Sequence, residues 1–171
     1  MEKEILEAIN DFNIALSLLD DYDHQCVIRP KGHKTVYRLE YQECRDLIDS
    51  MRFSETSNVF GVEKEKGKLE GIISAIYQSA FEEDVYPSIE EKASNFLYFL
   101  IKDHPFVDGC KRIGASLFLL FLYKNNLLKY NNQYILSNSA LVAITLLIAE
   151  SKPEEKDIMI SLVMNFLKVG N

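Results

Sequence analysis

The stretch KDHPFVDGCKRIGA, residues 102–115, separates two of the most apolar segments of the chain. NFLYFLI at 95–101 precedes it and SLFLLFLYK at 116–124 follows it, and both are typical of buried helices. A dense polar turn between buried helices costs stability, because its polar groups must be paired or desolvated. We therefore expect this turn to serve a function, with the two helices packed around it.

Composition narrows the functional classes. The 171 residues carry a net charge of −7 and 47% hydrophobic side chains, which favours one domain with a sizeable core. Such an acidic chain lacks the clustered Lys and Arg that bind nucleic acids and anionic membranes, so we expect neither as a partner. The start, MEKEILEAINDF, has no leader pattern, and the apolar runs are shorter than the about 20 residues that span a bilayer. A cytoplasmic location is expected.

The three cysteines, Cys26, Cys44 and Cys110, are widely spaced, and the three histidines never fall at metal-ligand spacing. Neither a disulfide framework nor a structural zinc site is expected. Free thiols are the simplest interpretation.

Helical periodicity predicts an all-α fold. The apolar spacing indicates helices over 2–20, 41–51, 68–81, 89–103, 113–125, 140–150 and 154–169, with loops at 21–35, 52–67, 82–88 and 125–134 and some strand character at 36–41. Ser88 and Glu91 form a capping box for the helix at 89–103. The segment 113–125, apolar on nearly every side, predicts a central buried helix. We expect residues 1–66 to form a helical extension and loop packed on a core of residues 67–171.

Within the turn, Pro105 disfavours helix at His104, and Gly109 lets the backbone turn tightly beside a ligand. The next helix begins within GCKR, so its unpaired N–H groups form an anion site. Lys111 and Arg112 add two charges there, and cations at a helix N-terminus are unfavourable without a compensating anion. This placement predicts phosphate binding.

Two further side chains suit phosphate chemistry. Asp108 offers a hard oxygen ligand for Mg²⁺ shared with substrate phosphates, and His104 is of the residue type that most often acts as a general base. Together these groups predict phosphoryl or nucleotidyl transfer. On the residues alone, a plain helix-terminating turn with solvated charges stays open as the alternative.

The motif HPFVDGCKR, residues 104–112, resembles the Fic/Doc family signature H-P-F-x-[D/E]-G-N-[G/K]-R and departs from it only at Cys110. The resemblance in layout extends over residues 68–167. The wider pattern also looks like the C-terminal part of RhuM-type proteins, a bacterial group. The Fic/Doc resemblance implies an all-α helical bundle whose central helix follows the motif loop.

The resemblance further implies Mg²⁺-dependent transfer of AMP from ATP to a Ser, Thr or Tyr hydroxyl of a target protein. His104 would deprotonate the hydroxyl, Asp108 would bind Mg²⁺ and Phe106 would anchor the loop. The phosphates would be held by Gly109, Cys110, Lys111 and Arg112. The flap that aligns the target would fall on Asp84, Val85, Tyr86 and Pro87, where a plain linker fits equally well.

Two positions depart from the AMP-transferring relatives. Cys110 replaces an Asn that contacts phosphate, and because a thiol is a weaker donor, we expect weakened binding. Both a quiet, packed thiol and a reactive one beside Lys111 are open for Cys110. Ala115 replaces a second Arg, as in Doc-type toxins, which transfer the γ-phosphate. A Doc-like kinase and an impaired nucleotide- or protein-binding module are therefore alternatives to AMP transfer.

Many relatives inhibit themselves through the motif [S/T]-x-x-x-E-[G/N], and the nearest segment here is SKPEEK at 151–156. Glu155 lacks the second Arg as a partner, so self-inhibition of this type is not expected. A capping box of Ser151 and Glu154 explains the segment instead. An antitoxin acting in trans is compatible with the resemblance.

Overall fold

A computed structural model describes residues 2–35 and 37–168. Within these residues, the chain folds into helices and two short hairpins, which confirms the all-α prediction. The helices are α1 Glu2–Asp11, α2 Asn13–Asp23, α3 Tyr41–Ser50, α4 Lys68–Ile76, α5 Ile89–Lys102, α6 Cys110–Lys124, α7 Asn138–Glu150 and α8 Lys156–Phe166. The strands are β1 Ser79–Ala80 paired with β2 Glu83–Asp84, and β3 Lys129–Tyr130 paired with β4 Gln133–Tyr134. Single 3₁₀ turns lie at Arg52–Glu55 and Pro153–Glu155.

The pair α5 and α6 forms the centre of the bundle, as the apolar segments on both sides of the motif predict. Phe96 of α5 packs edge-on against Phe121 of α6, with 6.3 Å between ring centroids, and both are fully buried. Gly114 of α6 faces α5 at this contact, where a Cβ would lie at van der Waals distance from Leu100, 3.4 Å away. Helices α4, α7 and α8 all pack on α5, so this pair fixes the turn that joins its two members.

Helix α5 begins with half of the predicted capping box, since the Glu91 carboxylate accepts a hydrogen bond from Arg29 at 2.7 Å and does not complete the box. The hydroxyl of Ser88 accepts the backbone N–H of Glu91 at 3.1 Å and caps the helix. The helix ends at Lys102, before Pro105. The next helix begins at Cys110, within the predicted GCKR.

The predicted helix 68–81 is too long, because α4 ends at Ile76 and a hairpin follows. The buried stripe of α4 runs from Leu69 to Ile76, and the next positions on that face are Ser79 and Ala80, which offer little apolar surface. The hairpin turns through Phe81 and Glu82, both at positive φ. The loop predicted at 125–134 likewise contains the hairpin β3–β4.

The N-terminal segment 2–20 was predicted as one helix, but it breaks at Phe12 into α1 and α2. Neither helix contains a fully buried residue, and only α2 reaches the core, through the half-buried Tyr22, so core packing does not hold the two in one line. At 36–41, Val36 lies outside the described residues, and residues 37–40 form no strand.

The capping box predicted for Ser151 and Glu154 is wrong. Ser151 instead ends α7, and its hydroxyl donates to the carbonyl of Ile148 at 2.7 Å. Glu155 is the capping carboxylate, since it accepts the backbone N–H of Lys152 at 2.8 Å. Pro153 starts the 3₁₀ turn one residue later than the predicted box requires.

Lys92 of α5 is 1% exposed and ties the first hairpin to the bundle. Its ammonium donates to the Asp84 carboxylate at 2.9 Å and to the carbonyl of Tyr86. A buried charge of this kind is tolerable only while its partners remain.

We predict that Asp84→Asn lowers the free energy of unfolding by about 1–3 kcal/mol, because it leaves the Lys92 ammonium buried with its counterion removed. Lys92→Met removes the charge at similar volume and should cost less. Urea denaturation measures both, with Glu83→Gln on the neighbouring strand position as control. A larger loss in Lys92→Met than in Asp84→Asn would contradict this account.

Candidate active site

The loop between α5 and α6 is anchored by its apolar residues. Phe106 is 1% exposed and belongs to the core, and Pro105 is buried beside it. His104 is exposed and adopts a φ of +44°, a left-handed conformation that costs a non-glycine residue about 1–2 kcal/mol. Something outside the loop must therefore hold its backbone in place.

That support comes from residues 60–64, a segment that we call the strip, which runs alongside the loop and turns at Gly61 with a φ of +71°. Gly61 N–H donates to the carbonyl of Asp108 at 3.0 Å, and Val107 N–H donates to that of Val62 at 2.8 Å. Lys64 N–H donates to the carbonyl of Pro105 at 2.9 Å. Sequence reasoning treated 52–67 as a plain loop and missed this pairing. No periodic pattern in the sequence indicates it, because Phe60 is buried whereas Val62 is 45% exposed and Lys64 is charged.

Helix α3 fixes the strip in turn. The Arg45 guanidinium donates to the carbonyl of Gly61 at 2.8 Å, and the Tyr41 hydroxyl donates to Glu63 at 2.7 Å. Glu63 also accepts the backbone N–H of Leu69, the second residue of α4, at 2.9 Å. The hydrogen bond to Glu63, together with burial, raises the pKa of the Tyr41 hydroxyl above its usual value. The hydroxyl therefore stays a proton donor well above neutral pH.

Gly109 sits where the loop enters α6, with a φ of +94°. A Cβ there would lie 2.4 Å from a ring carbon of Phe60, so the side chain of Phe60 occupies the space directly under the loop. Only glycine combines this φ with so close an approach. The first N–H groups of α6 point out of the helix end beyond Gly109, as at every helix N-terminus.

Arg112 rests on an aromatic shelf formed by Phe53 and Phe60. Its guanidinium carbon lies 4.7 Å from the ring centroid of Phe53 and 5.0 Å from that of Phe60. One guanidinium nitrogen is 3.1 Å from a carboxylate oxygen of Asp108, whose other oxygen accepts a hydrogen bond from Ser57 at 3.3 Å. The shelf and the carboxylate offset the unfavourable charge at this helix start.

The loop, the start of α6 and the end of α7 enclose a cavity of about 300 Å³. Its lining residues are Ile101, His104, Asp108, Gly109, Cys110, Lys111, Arg112, Ala149 and Glu150. The structure thus brings together the base, carboxylate and cation candidates of the motif. Glu150 of α7 is an acidic lining residue that was not predicted from the sequence, where only the residues of SKPEEK at 151–156 were considered in this region.

The flap candidates lie apart from this lining. Asp84 belongs to β2, and Val85 N–H extends the hairpin by donating to the carbonyl of Gln78 at 3.0 Å. Tyr86 packs on Phe99 of α5, with 6.4 Å between ring centroids, and Pro87 leads into that helix. The extended part of the segment is exposed, which leaves its edge accessible.

Cys110 is half-buried, and its thiol donates to the carbonyl of Phe106 at 3.3 Å. This contact directs the sulfur back into the loop and favours the quiet, packed interpretation. The other two cysteines contrast with it. Cys26 is exposed, whereas Cys44 is buried in the core, where burial raises the pKa of its thiol to about 12.

The Fic/DOC family model matches residues 33–122, just over half of the chain. The chain belongs to the Fic/DOC family. The match runs from before α3 into α6 and therefore includes the strip, the aromatic shelf and the motif loop. No curated protein and no solved structure matches the chain.

The family match begins well before residue 67, where we predicted the core to start. In this Fic/DOC domain the contacts of α3 and the strip show what those earlier residues do for the motif. The division at residue 66 and the wider resemblance to RhuM-type proteins stay predictions. None of the helices within residues 2–35 and 37–168 has the length and hydropathy needed for a bilayer crossing.

We predict that Gly109→Ala lowers the free energy of unfolding by about 2–4 kcal/mol, because it adds a strained φ and a clash with the Phe60 ring. Gly71→Ala is the matched control, since a Cβ at that exposed position of α4 meets nothing within 4 Å. It should raise stability slightly, because alanine favours helix. Thermal and urea unfolding compare the two. Equal effects would contradict the role assigned to the shelf.

Proposed function

We propose that this Fic/DOC domain transfers AMP from ATP to a Ser, Thr or Tyr hydroxyl of a target protein, with Mg²⁺. The observation that carries the proposal is the cavity that collects His104, Asp108, Lys111 and Arg112 at the start of α6. A base candidate, a carboxylate and two cations around a helix N-terminus suit nucleotide phosphates.

The triphosphate binds against the N–H groups of Gly109, Cys110 and Lys111, where the helix dipole and the two cations neutralise its charge. The exposed pair between Asp108 and Arg112 is weak in water, so the guanidinium can exchange the carboxylate for phosphate oxygens at small cost. The Phe53 and Phe60 shelf keeps the guanidinium in position during that exchange.

His104 accepts the proton of the target hydroxyl as its oxygen attacks the α-phosphorus. The new O–P bond forms while the bond to the β-phosphate oxygen breaks, and pyrophosphate leaves. The exposure of His104 at the cavity rim lets a protein hydroxyl reach it.

Asp108 fits Mg²⁺ on the chemistry of its donors. It presents a half-exposed carboxylate at the phosphate end of the cavity, and Mg²⁺ is commonly held between one or two carboxylates and substrate phosphates. When bound, the ion would neutralise phosphate charge. Ser57 orients the carboxylate from the far side.

The hairpin β1–β2 and the residues after it, Asp84 to Pro87, are proposed as the target-docking flap. The edge of the hairpin is exposed and can pair with an extended target segment. Lys92 holds the hairpin on α5 and so gives the flap a fixed base.

Transfer of the γ-phosphate is the second candidate, and Ala115 favours it. This residue lies one helical turn after Arg112, and its methyl group gives the far end of a triphosphate no second guanidinium. The side chain of Cys110 contacts the loop carbonyl of Phe106, which instead favours an impaired binding module.

The test incubates the purified chain with lysate proteins, Mg²⁺ and ATP labelled at the α- or the γ-phosphate. We expect protein labelling from α-labelled ATP that is lost at least tenfold in His104→Ala, because the base is removed. His24→Ala on the exposed end of α2 is the matched control and should label normally.

Label from γ-labelled ATP alone would replace AMP transfer by phosphate transfer. Absence of ATP binding by calorimetry in the presence of Mg²⁺ would overturn both reactions. Binding without His104-dependent labelling, even in Cys110→Asn, would favour the binding module.

A further inference from the structure

The first two helices leave an unusually large apolar surface uncovered. Not one residue of Glu2–Asp11 or Asn13–Asp23 is buried. Seven large apolar side chains on and between them are 44–67% exposed, namely Ile5, Leu6, Ile9, Phe12, Ile14, Leu16 and Leu19. Single exposed apolar residues are ordinary, whereas a contiguous group marks an interface.

The exposed side chains of α1 form an ordered stripe. Ile5, Ile9 and Phe12 recur at helical spacing and therefore share one face. Of the acidic residues of α1, Glu4 and Glu7 lie off the stripe, Glu2 lies on its face and Asp11 borders the neighbouring groove.

A groove of matching character lies next to this helix. It has a volume of about 870 Å³ and is bounded by α2 on one side and by α7 and α8 on the other. Its apolar lining includes Phe12, Ile14, Leu18, Leu147, Leu162 and Phe166, so the stripe and the groove meet at Phe12, and Asp11, Asp21 and Lys168 are its charged lining residues. Leu147 and Phe166 are 44% and 37% exposed, so the groove is open to solvent.

The apolar area exposed on and between α1 and α2 is close to the area that each partner buries in a stable dimer. At roughly 100 Å² of exposed surface each, the seven N-terminal side chains offer on the order of 700 Å², near the roughly 800 Å² that each partner contributes to a standard interface.

We propose that two copies of this chain pair through α1 and the groove, each laying its Ile5–Ile9–Phe12 stripe into the groove of the other. In the proposed arrangement a two-fold axis makes the two contacts reciprocal, so that the assembly closes at two copies, whereas a head-to-tail contact would extend to larger assemblies. The geometry leaves the cavity beside α6 outside the interface residues named here, so pairing is independent of the proposed transfer reaction.

The test measures molar mass by light scattering and sedimentation equilibrium across the micromolar range. We expect a dimer for the wild type and a monomer for Ile9→Glu, which places a charge in the middle of the stripe. Asn10→Glu adds the same charge one position away, off the stripe, and should stay dimeric. Leu147→Glu, on the groove side, should also give a monomer.

Each other outcome overturns the proposal. A monomeric wild type would assign the surface to a different partner. A dimer that survives both Ile9→Glu and Leu147→Glu would place the interface elsewhere, and one that survives Leu147→Glu alone would make the contact α1 to α1. Circular dichroism and thermal unfolding establish that each variant is folded, and all changed positions are exposed, so folding should persist.

Discussion

The close approach of the Phe60 ring to Gly109 is the constraint on which the motif loop depends. The ring fills the space that a Cβ would need, and the same ring supports the Arg112 guanidinium from below. Because Phe60 begins the strip that pairs with the loop, one residue connects the backbone of the turn with the position of its cation. Packing and charge placement are thus set by a single aromatic side chain.

Polar contacts with α3 and α4 hold the strip in place. Arg45 and Tyr41 of α3 hold the strip at Gly61 and Glu63, and Glu63 also meets the start of α4. Each contact satisfies a backbone or carboxylate group that would otherwise be costly in a partly buried position. His104 and Gly109 keep their positive φ values because these contacts fix the backbone of the loop.

The fold and the centre of the site could be predicted from the sequence because their signals are local. Ser88, Pro105 and the apolar runs beside the motif fix the ends of α5 and α6 through capping and backbone restriction. The motif residues share a cavity because nine consecutive residues cannot lie far apart. The partners from outside the motif could not be predicted. Phe53, Ser57 and Glu150 reach the site through tertiary packing, which residue spacing does not encode.

The predicted helix boundaries were wrong where two local conformations compete for the same residues. Helix α4 ends earlier than predicted because its apolar stripe ends at Ile76. The hairpin that follows places Phe81 and Glu82 at positive φ, although neither is a glycine or an asparagine, the residues that usually indicate such a turn. The segment 2–20, predicted as one helix, is broken at Phe12, and the apolar residues of α1 and α2 on either side of the break are largely exposed. Periodicity indicates which face is apolar, but it does not say what covers that face.

The pairing of residues 60–64 with the motif loop also determines which fragments of the protein can stand alone. A fragment starting at residue 67 would lack the N–H donors of Gly61 and Lys64 and the carbonyl of Val62. It would lose the ring under Gly109 as well. Such a truncation would retain every residue of the motif HPFVDGCKR, but backbone groups in the motif loop would lose their hydrogen-bond partners. A minimal form of this protein therefore has to begin before residue 60, and before α3 if it is to keep the Arg45 and Tyr41 contacts to the strip.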